Sequence, residues 1–318
     1  MRFLIPQGIG DAIWALMKIE DANRKMDPDG RLEVYIAAFN TWCNIEGRAL
    51  DFVGRFKFVD SARMYGVPAR GQSGAVLLDG PIADENGYYR YIPDGETKLP
   101  NIDYVLMPNA ALERGIRLEH WLPEFEINWN VMDQFHFRED EVAEASETQG
   151  EFVAFFLASM DSNGIAGHNR NGLWRPEDWA DLGERIMDRF GVQIVVVGAD
   201  YDRSYYEQKV KPLTKRPWID QIGSRSIGTT FSLLRRARFM ISYQSGIGIV
   251  TNYLGVPLGI FWRGKGDSIS PQTYISFEES MASAWANPAM IETGKHLPLI
   301  YGRHGVDYIM DQIIERNW

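Results

Sequence analysis

Phe239-Met240-Ile241-Ser242-Tyr243-Gln244-Ser245-Gly246-Ile247-Gly248-Ile249-Val250-Thr251-Asn252-Tyr253-Leu254-Gly255-Val256-Pro257 is the stretch that decides the architecture of this chain. Its apolar opening reads as a buried strand that closes at Ile241, and a small polar turn follows. Residues 247–254 have helical apolar spacing, and Gly255-Val256-Pro257 stops that helix and leads into a second apolar strand, 258–262. A strand, a loop, a helix and another strand in immediate succession form the repeating unit of a parallel α/β sheet.

The same rhythm continues outward in both directions. Phe152-Val153-Ala154-Phe155-Phe156-Leu157 is an apolar run suited to a strand covered on both faces. A polar, glycine-bearing loop over 159–173 separates it from Trp174-Arg175-Pro176-Glu177-Asp178-Trp179, which starts a helix running to about residue 190. Proline and two acids in the first turn are favoured there by backbone geometry and by the helix dipole. Gly191 ends that helix, 193–197 is another buried strand, and 305–318 reads as a terminal helix. In the first half, residues 2–5 form a short strand and Gln7-Gly8-Ile9-Gly10 a glycine turn. An amphipathic helix then runs from about Asp11 to Lys25, with Ile13, Leu16, Met17 and Ile19 on its apolar face. Further strands are expected over 31–38, 56–59, 74–78 and 103–106.

A chain of 318 residues is comfortable for two α/β domains. The acid-rich stretch 137–150, with no basic residue after Arg138, marks the expected boundary, giving domains 1–145 and 146–318. The fold class expected is α/β, two Rossmann-like doubly wound domains facing across a cleft. The last helix is a candidate to cross back onto the first domain.

Composition narrows the function classes. The single cysteine, Cys43, can form neither an internal disulfide nor a two-cysteine metal site. No run of eighteen apolar residues is present, and the opening Met1-Arg2-Phe3-Leu4-Ile5-Pro6 lacks a signal-peptide pattern, so a cytoplasmic setting is expected. Net charge is −10, carried almost wholly by residues 1–145, which hold 15 Lys and Arg against 24 Asp and Glu. A long polyanion would meet an unfavourable mean field there, whereas a small anion fits the nearly balanced second half.

Two motifs carry chemistry. Ser245, Gly246 and Gly248 stand at a strand-to-helix turn, where backbone N–H groups and the helix dipole can hold a diphosphate. Gly8-Ile9-Gly10-Asp11 is a second such turn, with an acid at the top of the first strand that can take a proton from an attacking hydroxyl. The plain alternative for Asp11 is a helix cap. Ile13 stands where a dinucleotide fingerprint needs a third glycine or alanine, which argues against an NAD-dependent oxidoreductase. Arg170, Arg263 and Lys265 are loop cations at the carboxyl ends of strands, the side where open sheets collect ligands. Asp200-Tyr201-Asp202 has the spacing of a D-x-D metal motif, but a contact of Asp200 with a nucleoside, or a plain surface loop, reads better. The tryptophans at 121, 129, 174, 179, 262 and 285 are expected mostly in the core, and the histidines have no metal-ligand spacing.

In this order and spacing the motifs resemble glycosyltransferase family 9, the ADP-heptose:lipopolysaccharide heptosyltransferases. The likeness rests on Gly8-Ile9-Gly10-Asp11 with Ala15-Leu16 beyond it, on Trp174 to Trp179 ahead of Gly191 to Ala199, and on Ile222-Gly223, Leu233 to Ala237 and Ser242 to Pro257. The resemblance implies a GT-B fold and a metal-independent, inverting sugar transfer with donor contacts mainly from the second half. It implies Asp11 as general base, with Gly10 beside it, and Gln244, Ser245 and Gly246 at the donor's phosphates. The donor is a nucleotide-sugar, used as substrate, and no cofactor is expected. The acceptor implied is a saccharide such as a lipopolysaccharide core, with a hydroxylated DNA base as the alternative. Two positions depart from the family's pattern: Gln244 replaces an acid and Ile249 a histidine. These departures motivate a further alternative, a non-catalytic nucleotide-sugar-binding protein.

Overall fold

The computed structural model describes residues 1–37, 45–65, 102–106, 108, 111, 116–157, 174–243, 245–262, 285–300 and 304–318. They fall into two units, Met1–His136 and Phe137–Trp318, each built on its own sheet.

Among the described residues of the first unit, β1 (Arg2–Pro6), β2 (Glu33–Ala37), β3 (Ser61–Tyr65) and β4 (Tyr104–Val105) form a parallel sheet in the order β3-β2-β1-β4. Phe3, Leu4 and Ile5 of the central β1 are buried. α1 (Ile9–Met26) follows β1, and α2 (Ile45–Val53) joins β2 to β3. α1 starts two residues ahead of its expected Asp11, because Gly8 is its N-cap and Gly10 is already helical. The strand expected over 56–59 lies instead at Ser61–Tyr65. Phe56 makes an isolated antiparallel bridge with Phe135, and its ring packs edge-on to Phe52 and Phe135 at 5.2 and 5.4 Å. That apolar run therefore fills an aromatic cluster rather than a ladder. Residues 74–78 lie outside the described residues.

The second unit opens with α3 (Glu139–Ser146), then alternates β5 (Phe152–Phe156), α4 (Pro176–Phe190), β6 (Gln193–Gly198), short helical turns over 200–213, β7 (Ile219–Ile222), α5 (Ile227–Leu234), β8 (Met240–Tyr243), α6 (Gly246–Tyr253), β9 (Leu258–Trp262), α7 (Pro288–Glu292), β10 (His296–Ile300) and α8 (Val306–Glu315). Its sheet is parallel throughout, in the order β10-β9-β8-β5-β6-β7. Counted from β5, the strands run 6-5-4-1-2-3, the doubly wound order in which direction reverses between the first and fourth strands. In this unit that reversal lies between β5 and β8. The first unit has the corresponding reversal between β1 and β4.

The acid-rich stretch expected as a boundary is α3, and it belongs to the second unit. Glu141 accepts a hydrogen bond from Ser226 Oγ at 2.5 Å, and Glu144 accepts one from Thr229 Oγ1 at 2.6 Å and pairs with Arg225. Two carboxylates thus dock on the N-terminus of α5, where the helix dipole favours them. Arg236 then donates to the carbonyls of Ala145 and Thr148 at the other end of α3. α8 is held within the second unit by the Asp307–Arg185 ion pair to α4, by Trp318 against Phe239 at 5.8 Å, and by bonds from Arg316 and Trp318 to the Gly294 carbonyl.

Candidate functional site

β8 delivers the chain to the reversal point of the second sheet, and α6 begins there. Ser245 is the N-cap of α6, with extended backbone, and its Oγ accepts a hydrogen bond from Gly248 N at 3.1 Å. Ile249 N donates to the Ser245 carbonyl at 2.9 Å. The N–H groups of Gly246 and Ile247 precede the first intrahelical bond and have no acceptor among the described residues. Both residues are half-buried. These amides, at the positive end of an eight-residue helix and beside a sheet's crossover point, suit an anionic group.

Gly248 plays a different part from Gly246. Its amide is taken by Ser245, and a Cβ at this position would lie 2.6 Å from Ser242 Oγ and 3.3 Å from Ile260 Cδ1. The missing side chain lets α6 settle onto β8 and β9. Ser242 itself is fully buried and donates to the Tyr243 carbonyl at 2.6 Å. Ile249 is buried, 7% exposed, so the residue that departs from the family's histidine is a core residue in this fold. Gln244, Arg170, Arg263 and Lys265 lie outside the described residues.

The floor below this turn is aromatic. Trp179 is wholly buried, with Phe155 at 5.3 Å, Trp174 at 4.9 Å and Tyr243 at 5.5 Å between ring centroids. Phe261 of β9 closes on Trp174 at 4.9 Å and on Tyr243 at 5.4 Å. Trp174 Nε1 donates to the His304 carbonyl at 2.9 Å, tying the start of α4 to the chain ahead of α8. Rings near the carboxyl ends of three strands give the turn a rigid, close-packed support.

Asp200 and Asp202 do not act as a pair. Asp202 turns back, and its Oδ2 accepts from Ala199 N at 2.7 Å, capping the turn after β6. Asp200 is exposed and its carboxylate lies against Gly223, where any Cβ would overlap it. Gly223 has φ +62° and donates to the Gly198 carbonyl at 2.9 Å, so the loops after β6 and β7 are latched together beneath Asp200. Sequence reading singled out Asp200 but not this glycine latch; Ile222-Gly223 entered only as part of the family resemblance. Among the described residues no group of three or more His, Cys, Asp or Glu could hold a metal ion.

In the first unit, Gly10 is buried in the first turn of α1, and Asp11 is half-buried at the third helical position. Its Oδ2 lies 2.9 Å from the point a Cβ on Gly8 would occupy, so the carboxylate folds back over the N-cap. An acid at this position commonly reaches back towards the N-cap amide. Asp11 therefore has the geometry of a helix cap while also standing beside the reversal point of the first sheet, after β1.

No family model matches the chain, and no curated protein matches it by sequence. Solved structures do resemble it. A glycosyl transferase family 9 protein from Veillonella parvula is 14% identical, with a TM-score of 0.57 over 99% of this chain and 89% of that one. The E. coli ADP-heptose LPS heptosyltransferase II is 15% identical, with a TM-score of 0.59 over 99% of this chain and 97% of that one. At such identities the likeness is one of fold, and with the two parallel doubly wound sheets it establishes the GT-B architecture.

Proposed function

We propose that the protein is a glycosyltransferase that moves a sugar from a nucleotide-sugar donor to an acceptor hydroxyl. The observation that carries this reading is the placement of both sequence motifs: the Ser245 turn stands at the reversal point of one sheet and Asp11 beside that of the other. The GT-B likeness to a family 9 glycosyl transferase and a heptosyltransferase supports it.

In the proposed reaction the donor's diphosphate is held by the amides of Gly246 and Ile247, with Ser245 and Gln244 beside them. Arg170, Arg263 and Lys265 supply positive charge, and Asp200 contacts the nucleoside. Asp11 accepts the proton of the acceptor hydroxyl as its oxygen attacks the anomeric carbon. The bond from that carbon to the phosphate oxygen breaks on the opposite side, so the configuration inverts, and the nucleoside diphosphate leaves with the bonding electrons. Backbone amides and cations fixed in place stabilise that leaving group without a metal ion. The acceptor proposed is a saccharide such as a lipopolysaccharide core, and the setting cytoplasmic.

The test is a thermal-shift panel of ADP-, UDP-, GDP- and CMP-sugars, followed by donor hydrolysis in wild type and Asp11→Asn. Stabilisation by one nucleotide class, with hydrolysis lost in the variant but binding kept, is the expected result. Tight binding with no turnover for any acceptor or water would make the protein a binding module instead.

A further inference from the structure

Behind α6, at the amino ends of β9 and β10, a buried polar group is left over. His296 opens β10 and is 4% exposed. Its Nδ1 faces Asn252 Nδ2 at 3.1 Å. The tautomer follows from the other end of that amide: Asn252 Oδ1 already accepts from Asn287 N at 2.7 Å, so the Asn252 NH₂ group must be the side turned to the ring. Nδ1 is therefore the acceptor, and the proton of the neutral imidazole resides on Nε2. That N–H is buried and has no hydrogen-bond partner among the described residues.

A second donor in the same condition belongs to Arg316, just after α8. Its two terminal nitrogens are used, donating to the Gly294 carbonyl at 3.1 Å and to Gln312 Oε1 at 3.2 Å, while its Nε–H is buried without a partner among the described residues. No carboxylate pairs with this guanidinium among the described residues. Gly294 is two residues from His296, so the bond to its carbonyl brings the arginine near the start of β10. The two groups sense each other: burial first, and the Arg316 charge second, press the His296 pKa down to about 4. An orphaned buried N–H loses its bond to water with nothing in return, and natural folds rarely leave such donors unmatched.

We infer that the protein holds a small species with one acceptor atom, an ordered water molecule or a chloride ion, between His296 Nε2 and Arg316 Nε. Its chemistry is fixed by the groups it would satisfy: two buried N–H donors, one of them on a cation. A water or a halide is small enough and accepts from both. The bound species completes a buried chain from α6 through Asn252 and His296 to the end of α8. It is independent of the nucleotide-sugar reading.

Two measurements on the full chain test this. A crystal structure grown in sodium bromide is expected to show density within hydrogen-bond distance of both nitrogens. An anomalous bromide peak there identifies the halide, and a peak without anomalous signal identifies water. In solution, the thermal midpoint at constant ionic strength, compared in chloride and in gluconate, is expected to rise with chloride for a halide and stay level for water. In Arg316→Met any rise is abolished. His296→Phe, which removes the donor but keeps a ring, is expected to lose the density altogether. Two nitrogens separated by packed side chains, or an empty gap in the bromide crystal, would overturn the inference.

Discussion

The carboxylate of Asp11 lies folded over Gly8, with Oδ2 2.9 Å from where a Cβ at residue 8 would project. The only proposed catalytic acid of the first unit thus rests on a glycine, and the two positions can be separated by mutation. Gly8→Ala forces the carboxylate to move while leaving its charge in place. Asp11→Asn removes the charge while keeping the shape. If Asp11 accepts the acceptor's proton, Asp11→Asn lowers turnover by roughly 10²–10⁴-fold with nucleotide affinity unchanged. Gly8→Ala should then lower turnover as well, without loss of binding. If Asp11 serves only as a cap, both variants lose about 1 kcal/mol of stability in denaturant titration and keep full turnover.

The α6 turn gives a second separable pair. Ser245→Ala removes the bond to Gly248 N and should cost about 1 kcal/mol of stability. It should also weaken nucleoside diphosphate binding, because the amides of Gly246 and Ile247 lose their fixed direction. Ser245→Thr should restore both. Gly248→Ala drives a methyl to 2.6 Å from Ser242 Oγ and should cost about 1–3 kcal/mol by overpacking. Calorimetric binding and thermal melts of the three variants decide it: equal nucleotide affinity in Ser245→Ala and wild type would remove the turn from the site.

Gly223 shows where sequence reading reached and where it stopped. The β8-turn-α6-β9 succession was legible because each apolar run was bounded by glycine, proline or a small polar turn, and the observed elements match it to within two residues, β8 running on to Tyr243 past the expected end at Ile241. The strand near residue 56 was misplaced because an aromatic cluster and a buried strand share the same apolar composition. The acidic stretch read as a boundary between domains, yet α3 docks its acids on a helix N-terminus more than eighty residues on. Such pairings are tertiary and leave no local pattern. The roles of Gly248 and Gly223 were equally hidden, since a glycine's sequence does not say whether a ligand, a neighbouring strand or a positive φ requires it. At Gly223 the backbone itself answers: φ is +62° and the Asp200 carboxylate occupies the Cβ direction. Gly223→Ala should therefore destabilise by about 1–3 kcal/mol and displace Asp200. A melt indistinguishable from wild type would show the latch to be slack.

His296 predicts an acid-side loss of stability. Its folded pKa is lowered to about 4 by burial and the Arg316 charge, from an ordinary value of 6.5. The folded state therefore holds fewer protons than the unfolded state between these values. The stability this group contributes is present above pH 6.5 and is lost as pH falls through 4. A shift of this size corresponds to about 3 kcal/mol at most. Urea titrations at pH 7, 5.5 and 4.5 should show wild type falling more steeply than His296→Gln, which has no proton to gain. Parallel slopes for the two proteins would mean that the ring is more accessible to water than its 4% exposure indicates.

Lys18 predicts the opposite end of the pH range. It is 1% exposed in the middle of α1, and its Nζ donates to the carbonyls of Phe125 at 2.6 Å and Leu122 at 3.2 Å. These bonds tie the helix to a chain segment whose Leu122 has φ +50°. Burial outweighs the nearby Glu124 and Asp21 and lowers the ammonium's pKa to about 8, from 10.5. The neutral amine keeps both carbonyl bonds, so losing the proton relieves desolvation without breaking the tie. Between pH 8 and 10.5 the unfolded chain binds the proton and the folded chain does not. This group's favourable contribution is thus complete above pH 10.5, is lost as pH falls through 8, and spans about 3 kcal/mol at most. Subtracting the unfolding free energies of Lys18→Met from those of wild type at pH 7, 8.5 and 10 removes the background titration of other groups. The difference should shift in favour of wild type as pH rises. At pH 7 Lys18→Met loses two carbonyl partners but is spared the buried charge, so the variant should be only mildly destabilised there and relatively worse at pH 10. A difference that stays constant across the range would show that Lys18 titrates like an exposed lysine and that the tie to residues 122–125 is solvated.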